Sequence, residues 1–138
     1  MTQLETCLIN HEGLEHHVYV DSLGFSTIGI GRNISHTGPG LSTDECLYLL
    51  RNDIQRVTSE ITDYGWFKSQ DSVRREVLIE LAFNMGVNGL LEFKETLNLI
   101  QNKKYSQACA ALQDSKWSHQ VGKERVENIC KRLETGNY

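Results

Sequence analysis

Proline occurs once in 138 residues, and no tract is dominated by proline, glycine or serine, so collagen-like and linker-rich architectures are excluded. No apolar run approaches the roughly 20 residues that a membrane-spanning helix needs, so stable membrane insertion is not expected. The N-terminal Met1-Thr2-Gln3-Leu4-Glu5 lacks the basic-then-apolar pattern of a secretory signal. The four cysteines, Cys7, Cys46, Cys109 and Cys130, contain no Cys-x-x-Cys pair, which argues against zinc. Each sits among apolar neighbours at helical spacing and reads as a reduced core thiol. The five histidines, His11, His16, His17, His36 and His119, offer no three ligands at a recognisable spacing. No metal and no cofactor are expected.

An excess of positive charge is missing as well. With 14 Lys+Arg against 18 Asp+Glu the formal net charge is −4, and that total argues against a nucleic-acid partner. The distribution is uneven. Residues 1–66 hold three arginines against nine acids, a balance of −6, whereas 94–132 holds eight bases against four acids, or +4. A basic back behind an acidic front points to an anionic partner for one lobe.

Apolar types at 39% and charged types at 23% suffice for one folded domain. Thr2-Gln3-Leu4-Glu5 is a capping box opening a short helix that Gly13 can end. Val18-Tyr19-Val20 and Phe25 to Ile30 are β-type runs joined by the turn-like Asp21-Ser22-Leu23-Gly24, which predicts a hairpin. A second capping box, Ser42 to Glu45, opens a helix over 43–62 with Cys46, Leu49, Leu50, Ile54, Val57 and Ile61 on one side. Val73, Val77, Leu78, Leu81, Ala82 and Met85 mark a buried central helix, stopped at Gly86-Val87-Asn88-Gly89. Further helices are predicted near 90–102, 105–113 and 123–134. The fold class is α+β and mostly helical: a small hairpin-containing lobe, a connecting long helix and an all-helical lobe. One domain is expected over 1–138, with lobes at 13–62 and 63–138 and the helix over 2–12 packing on the second.

Two acids stand out by context. Glu12 ends the first helix and Asp21 lies nine positions later at the hairpin turn. Glycosidic cleavage uses such a pair, one carboxyl to protonate the leaving oxygen and one to activate water or stabilise the cation-like sugar. Spacing alone is weak evidence, because most of the 18 acids must be solvated surface charges.

At these residues the sequence resembles the T-even bacteriophage lysozyme family. Glu12-Gly13-Leu14, Val18-Tyr19, Asp21, Gly24 and Thr27-Ile28-Gly29-Ile30-Gly31 look like that family's signature. Val73-Arg74-Arg75, Phe83-Asn84-Met85-Gly86, Lys116-Trp117 and Thr135-Gly136 follow in family order. The likeness is weakest over 32–70, where the chain is shorter than the prototype.

The resemblance implies a lysozyme-like fold and a muramidase or endolysin. Such an enzyme hydrolyses the β-1,4 bond between N-acetylmuramic acid and N-acetylglucosamine in bacterial peptidoglycan, by single displacement with the sugar chain between the lobes. It implies Glu12 as general acid, Asp21 as the acid that positions the attacking water, and Thr27 as the residue that holds this water. Partial burial against the hairpin is expected to keep the proton on Glu12, with Asp21 wetter and ionised. His11 stands beside Glu12 and could tune it. Phe83 and Thr96 match positions lining the saccharide cleft. Arg125, counted back from Thr135-Gly136, matches an arginine that reaches the catalytic glutamate; counted forward from Trp117, Glu124 takes that place. The family would put Trp117 beside Asn84, and Trp66 reads as a packing residue between lobes.

Three departures stand out: Arg32 in place of a histidine that forms a structural ion pair in the prototype, Ala111 in place of a polar cleft residue, and the acidic total. A monomer is expected, accumulating in the host cytoplasm and released to the wall through a separate holin-type pore. The rivals are a lytic transglycosylase on the same bond and a non-catalytic peptidoglycan-binding or virion module.

Overall fold

The computed structural model describes residues 1–138. The chain is 64% helical, with nine helices and one three-stranded antiparallel sheet, an α+β lysozyme-like fold. Two compact units, Met1–Leu50 and Arg51–Tyr138, are described in turn.

In the first unit α1 (Gln3–Glu12) starts at the predicted capping box, where Thr2 accepts from the Glu5 amide and the Glu5 side chain returns to the Thr2 backbone. Two otherwise orphaned amides are thereby satisfied. Gly13, at φ 78°, ends the helix and turns the chain into β1 (Glu15–Val20). β1 pairs with β2 (Ser26–Gly29), Tyr19 facing Thr27 and Val20 facing Ser26, with a register irregularity between Glu15 and Tyr19. β3 (Arg32–Asn33) continues the sheet beyond β2. The second capping box also forms: Glu45 N donates to Ser42 Oγ at 3.2 Å, and Ser42 N donates to Glu45 Oε2 at 3.3 Å. It opens α2 (Thr43–Ile61).

Two expectations are corrected here. The apolar side of α2 is buried only at Val57 and Ile61, while Cys46, Leu49, Leu50 and Ile54 are exposed. The sheet and the start of α2 do not close on each other. They leave an open hollow of about 650 Å³ lined by Leu14, Ile28, Ile30, Leu41, Tyr48 and Leu49. The cysteines are likewise not all core. All four thiols are free, but Cys7 and Cys46 are exposed, because α1 buries no residue and Cys46 lies on the open part of α2.

The second unit carries the hydrophobic core. α3 (Gly65–Lys68), α4 (Ser72–Met85), α5 (Val87–Leu91), α6 (Lys94–Gln101), α7 (Tyr105–Gln113), α8 (Lys116–Val121) and α9 (Lys123–Thr135) follow one another through short turns. α4 is the predicted central helix: Val77, Leu78, Leu81 and Ala82 are buried on it, and Asp71 caps it by accepting from the Arg74 amide. Leu90, Leu97, Ile100, Leu112, Ile129 and Leu133 complete the packing. The helix expected over 90–102 is instead two pieces, since Phe93 takes a non-helical backbone between α5 and α6. Trp66 belongs to the core of this unit and stacks on Tyr64, ring centroids 5.0 Å apart. No helix is long and apolar enough to cross a membrane.

Candidate active site

Glu12 is the last residue of α1, three positions before β1, and Asp21 follows directly after β1. The two acids therefore flank one strand, with Thr27 paired to Tyr19 beside it on β2. The turn is built around Asp21. Its Oδ1 accepts from Leu23 N at 2.9 Å and from Phe25 N at 2.8 Å, and its backbone exchanges bonds with Phe25 and Gly24 at 3.0 Å each. An aspartate suits this position because its short carboxylate reaches amides two and four residues on.

Thr27 is 2% exposed, the only buried residue of the first unit. Its hydroxyl donates to Phe25 O at 2.8 Å rather than to a carboxylate, which leaves oxygen lone pairs free to accept. Phe25 thus links two of the sequence-predicted residues: its amide holds Asp21 and its carbonyl holds Thr27. Sequence reasoning passed over it, since a backbone bridge leaves no mark in residue type.

The expected partial burial of Glu12 is absent. Glu12 is exposed, at the end of a helix that buries nothing. Its carboxyl lies instead beside Gly31, where an added Cβ would stand 2.9 Å from Glu12 Oε2. This contact was hidden as well; the only signal for it was the Gly29-x-Gly31 pattern.

The remaining sequence-predicted residues lie in the second unit. Phe83 is 44% exposed on α4, whereas Thr96 is 3% exposed on α6 and packs within the core. Arg125 Nε lies 3.5 Å from Glu80 Oε1, and Arg132, buried, pairs with the other oxygen of the same carboxylate. Two of the eight bases over 94–132 thus serve an internal cluster. Trp117, buried, donates from Nε1 to Asn84 Oδ1 at 2.7 Å, the neighbour that the resemblance implied. Arg32, in place of the prototype's histidine, forms its own ion pair with Glu45 at 2.6 Å.

The chain has a lysozyme-like fold and, by its family and relatives, is a glycoside hydrolase. The family model described as phage lysozyme matches residues 9–135, and the chain belongs to that family. Two probable T4-type lysozymes of Dictyostelium discoideum, numbered 1 and 2, are each 28% identical to it over 164 aligned positions, covering 99% of this chain and 96% of the relative. The pre-baseplate central spike protein of Enterobacteria phage T4 is 26% identical over 154 positions, covering 91% of this chain and 26% of that protein.

Proposed function

We propose that this protein is a muramidase that cleaves the β-1,4 bond between N-acetylmuramic acid and N-acetylglucosamine in bacterial peptidoglycan. Glu12 protonates the leaving oxygen. Asp21, with Oδ1 committed to two backbone amides, offers its other oxygen as base to a water on the opposite face of the sugar. Thr27, its own proton spent on Phe25 O, accepts from that water. The anomeric centre inverts in a single displacement. Phe83, Thr96 and Arg125 complete the proposal as cleft-lining and supporting residues. Thr96 needs local opening to reach a sugar, given its burial.

The observation that carries the reading is the backbone bridge through Phe25, which joins the second acid and the proposed water-binding hydroxyl in one hydrogen-bonded turn beside the strand that Glu12 precedes. In the cell the proposal is an endolysin: a monomer made in the host cytoplasm that reaches the wall through a separate holin-type pore and lyses the host.

The test compares wild type with Glu12→Gln on purified peptidoglycan, scoring new reducing ends. Glu12→Gln is expected to lose about 100-fold or more, the usual worth of a general acid. Equal activity would refute the assignment. Mass spectrometry of the products separates hydrolysis from lytic transglycosylation, since anhydro-muramic ends as the main product would replace the hydrolase by its rival.

A further inference from the structure

Gly31 follows β2 by two residues and carries φ +70°, a backbone conformation that residues with a Cβ rarely adopt. A Cβ built on it would stand 2.9 Å from Glu12 Oε2, 3.2 Å from Cδ and 3.4 Å from Cβ of the same side chain. Carbon-to-oxygen contact at 2.9 Å lies well inside ordinary van der Waals separation. What yields in such a contact is the free end of the glutamate. Gly29 shares the same φ of +70°, and nothing lies within 4 Å of its corresponding point. The two glycines meet the same backbone demand in different surroundings, so backbone strain alone does not account for Gly31.

We propose that Gly31 is a positioning residue for Glu12: the space left by its missing side chain is the seat in which the carboxyl of the general acid rests. The inference rests on the reading of Glu12 as that acid. Glu12 is exposed and terminal on α1, so tertiary burial does not fix its rotamer. The close face of Gly31 limits how far the carboxyl can swing on that side. A methyl group at position 31 displaces the carboxyl from the place where its proton reaches the glycosidic oxygen. General acid catalysis needs that proton within hydrogen-bond reach, and a displacement of about 1 Å can cost about 100-fold.

The experiment uses the full chain as wild type, Gly31→Ala, Gly29→Ala and Glu12→Gln, with two readouts. One is the carboxyl-carbon NMR resonance of Glu12, assigned by its loss in Glu12→Gln. The other is reducing-end release from purified peptidoglycan, resolved into kcat and KM. Gly31→Ala is expected to shift the Glu12 resonance and to lower kcat by about 100-fold with KM little changed. Gly29→Ala, which carries the backbone strain alone, is expected to leave the resonance in place and to lose less than a tenth as much. An unmoved Glu12 resonance in Gly31→Ala overturns the proposal, as does an equal loss of kcat in the two alanine variants. Unfolding by Gly31→Ala alone overturns it too, because the contact would then be structural. If the wild type releases no reducing ends, the muramidase reading fails, and the resonance still decides whether Gly31 sets the place of the carboxyl.

Discussion

Arg32 Nη1 lies 2.6 Å from Glu45 Oε2 and also donates to the Gly40 carbonyl at 2.9 Å, tying β3 to the first turn of α2. The Glu45 oxygen that receives the guanidinium is the one that closes the capping box with Ser42 N. One carboxylate thus serves a helix start and a cross-chain ion pair. The hydrogen bond from Arg32 holds Glu45 below its ordinary value of 4.5; burial opposes it as the next largest effect, and the Ser42 amide and the Arg32 charge add to the lowering.

That shift sets a sign for acid stability. A carboxylate with a lowered folded pKa contributes stability that is complete above its unfolded value, here 4.5, and is lost as the pH falls through the lower folded value. Thermal unfolding followed from about pH 6 down to about pH 3 is therefore expected to fall less steeply below 4.5 in Glu45→Gln than in wild type. Parallel curves would mean that the pair contributes nothing. Both side chains are near 40% exposed, so added salt is expected to narrow the difference.

Asn84 and Trp117 give a test inside the second unit. The Trp117 indole N–H donates to Asn84 Oδ1 at 2.7 Å in a part-buried bond, with Trp117 buried and Asn84 exposed. Asn84→Ala removes that acceptor and exposes the donor to water, which is expected to cost about 0.5–1.5 kcal/mol in urea unfolding. Replacing Trp117 by Phe in the same background removes the donor as well. Because Trp117→Phe also empties core volume, the double variant is expected to lose less than the sum of the two single losses, and a purely additive result would deny the hydrogen bond a role.

Local signals were legible where a few adjacent residues decide the outcome. Both capping boxes, the turn at Asp21, the buried face of α4 and the end of that helix at Gly86 were all readable from neighbours in sequence. Short elements were not. β3 has two residues and no alternation to detect, and α8 lacks an apolar stripe, relying on Ser115 as its cap. Long-range pairing was also hidden. Arg132 reads as a solvated charge until Glu80, 52 positions away, is folded against it. The candidate site divides in the same way. Glu12, Asp21 and Thr27 were nameable through their motif. The Phe25 bridge and the Gly31 contact depend on backbone atoms, which the sequence does not distinguish.

The cysteines give a direct chemical check on burial. Cys7 and Cys46 are exposed, whereas Cys109 and Cys130 are buried where α7 and α9 meet, each sulfur directed at the other residue's carbonyl. The hydrogen-bonded neighbour Cys130, followed by burial, pushes the Cys109 thiol well above its ordinary range, which suppresses the reactive thiolate. In the native protein a thiol reagent such as dithionitrobenzoate is expected to modify two cysteines quickly, and all four only after denaturation. Mass mapping that found Cys109 modified as fast as Cys7 would contradict the packing of α7 on α9.

Asp21 has two duties that a pair of substitutions can separate. Its Oδ1 holds the turn through the amides of Leu23 and Phe25, and its charge is what the proposed water activation requires. Asparagine keeps an acceptor oxygen in the same place and removes the charge. Asp21→Asn is therefore expected to stay within about 0.5–1 kcal/mol of wild-type stability, the residual loss reflecting a weaker, uncharged acceptor. Its reducing-end release is expected to fall by about 100-fold or more. Asp21→Ala removes both functions, and unpairing two amides at a half-buried turn is expected to add about 1–2 kcal/mol of destabilisation. Full activity in Asp21→Asn would remove this residue from the chemistry and leave it a turn-former. Equal destabilisation by the two variants would show that the carboxylate charge, rather than the acceptor, shapes the hairpin.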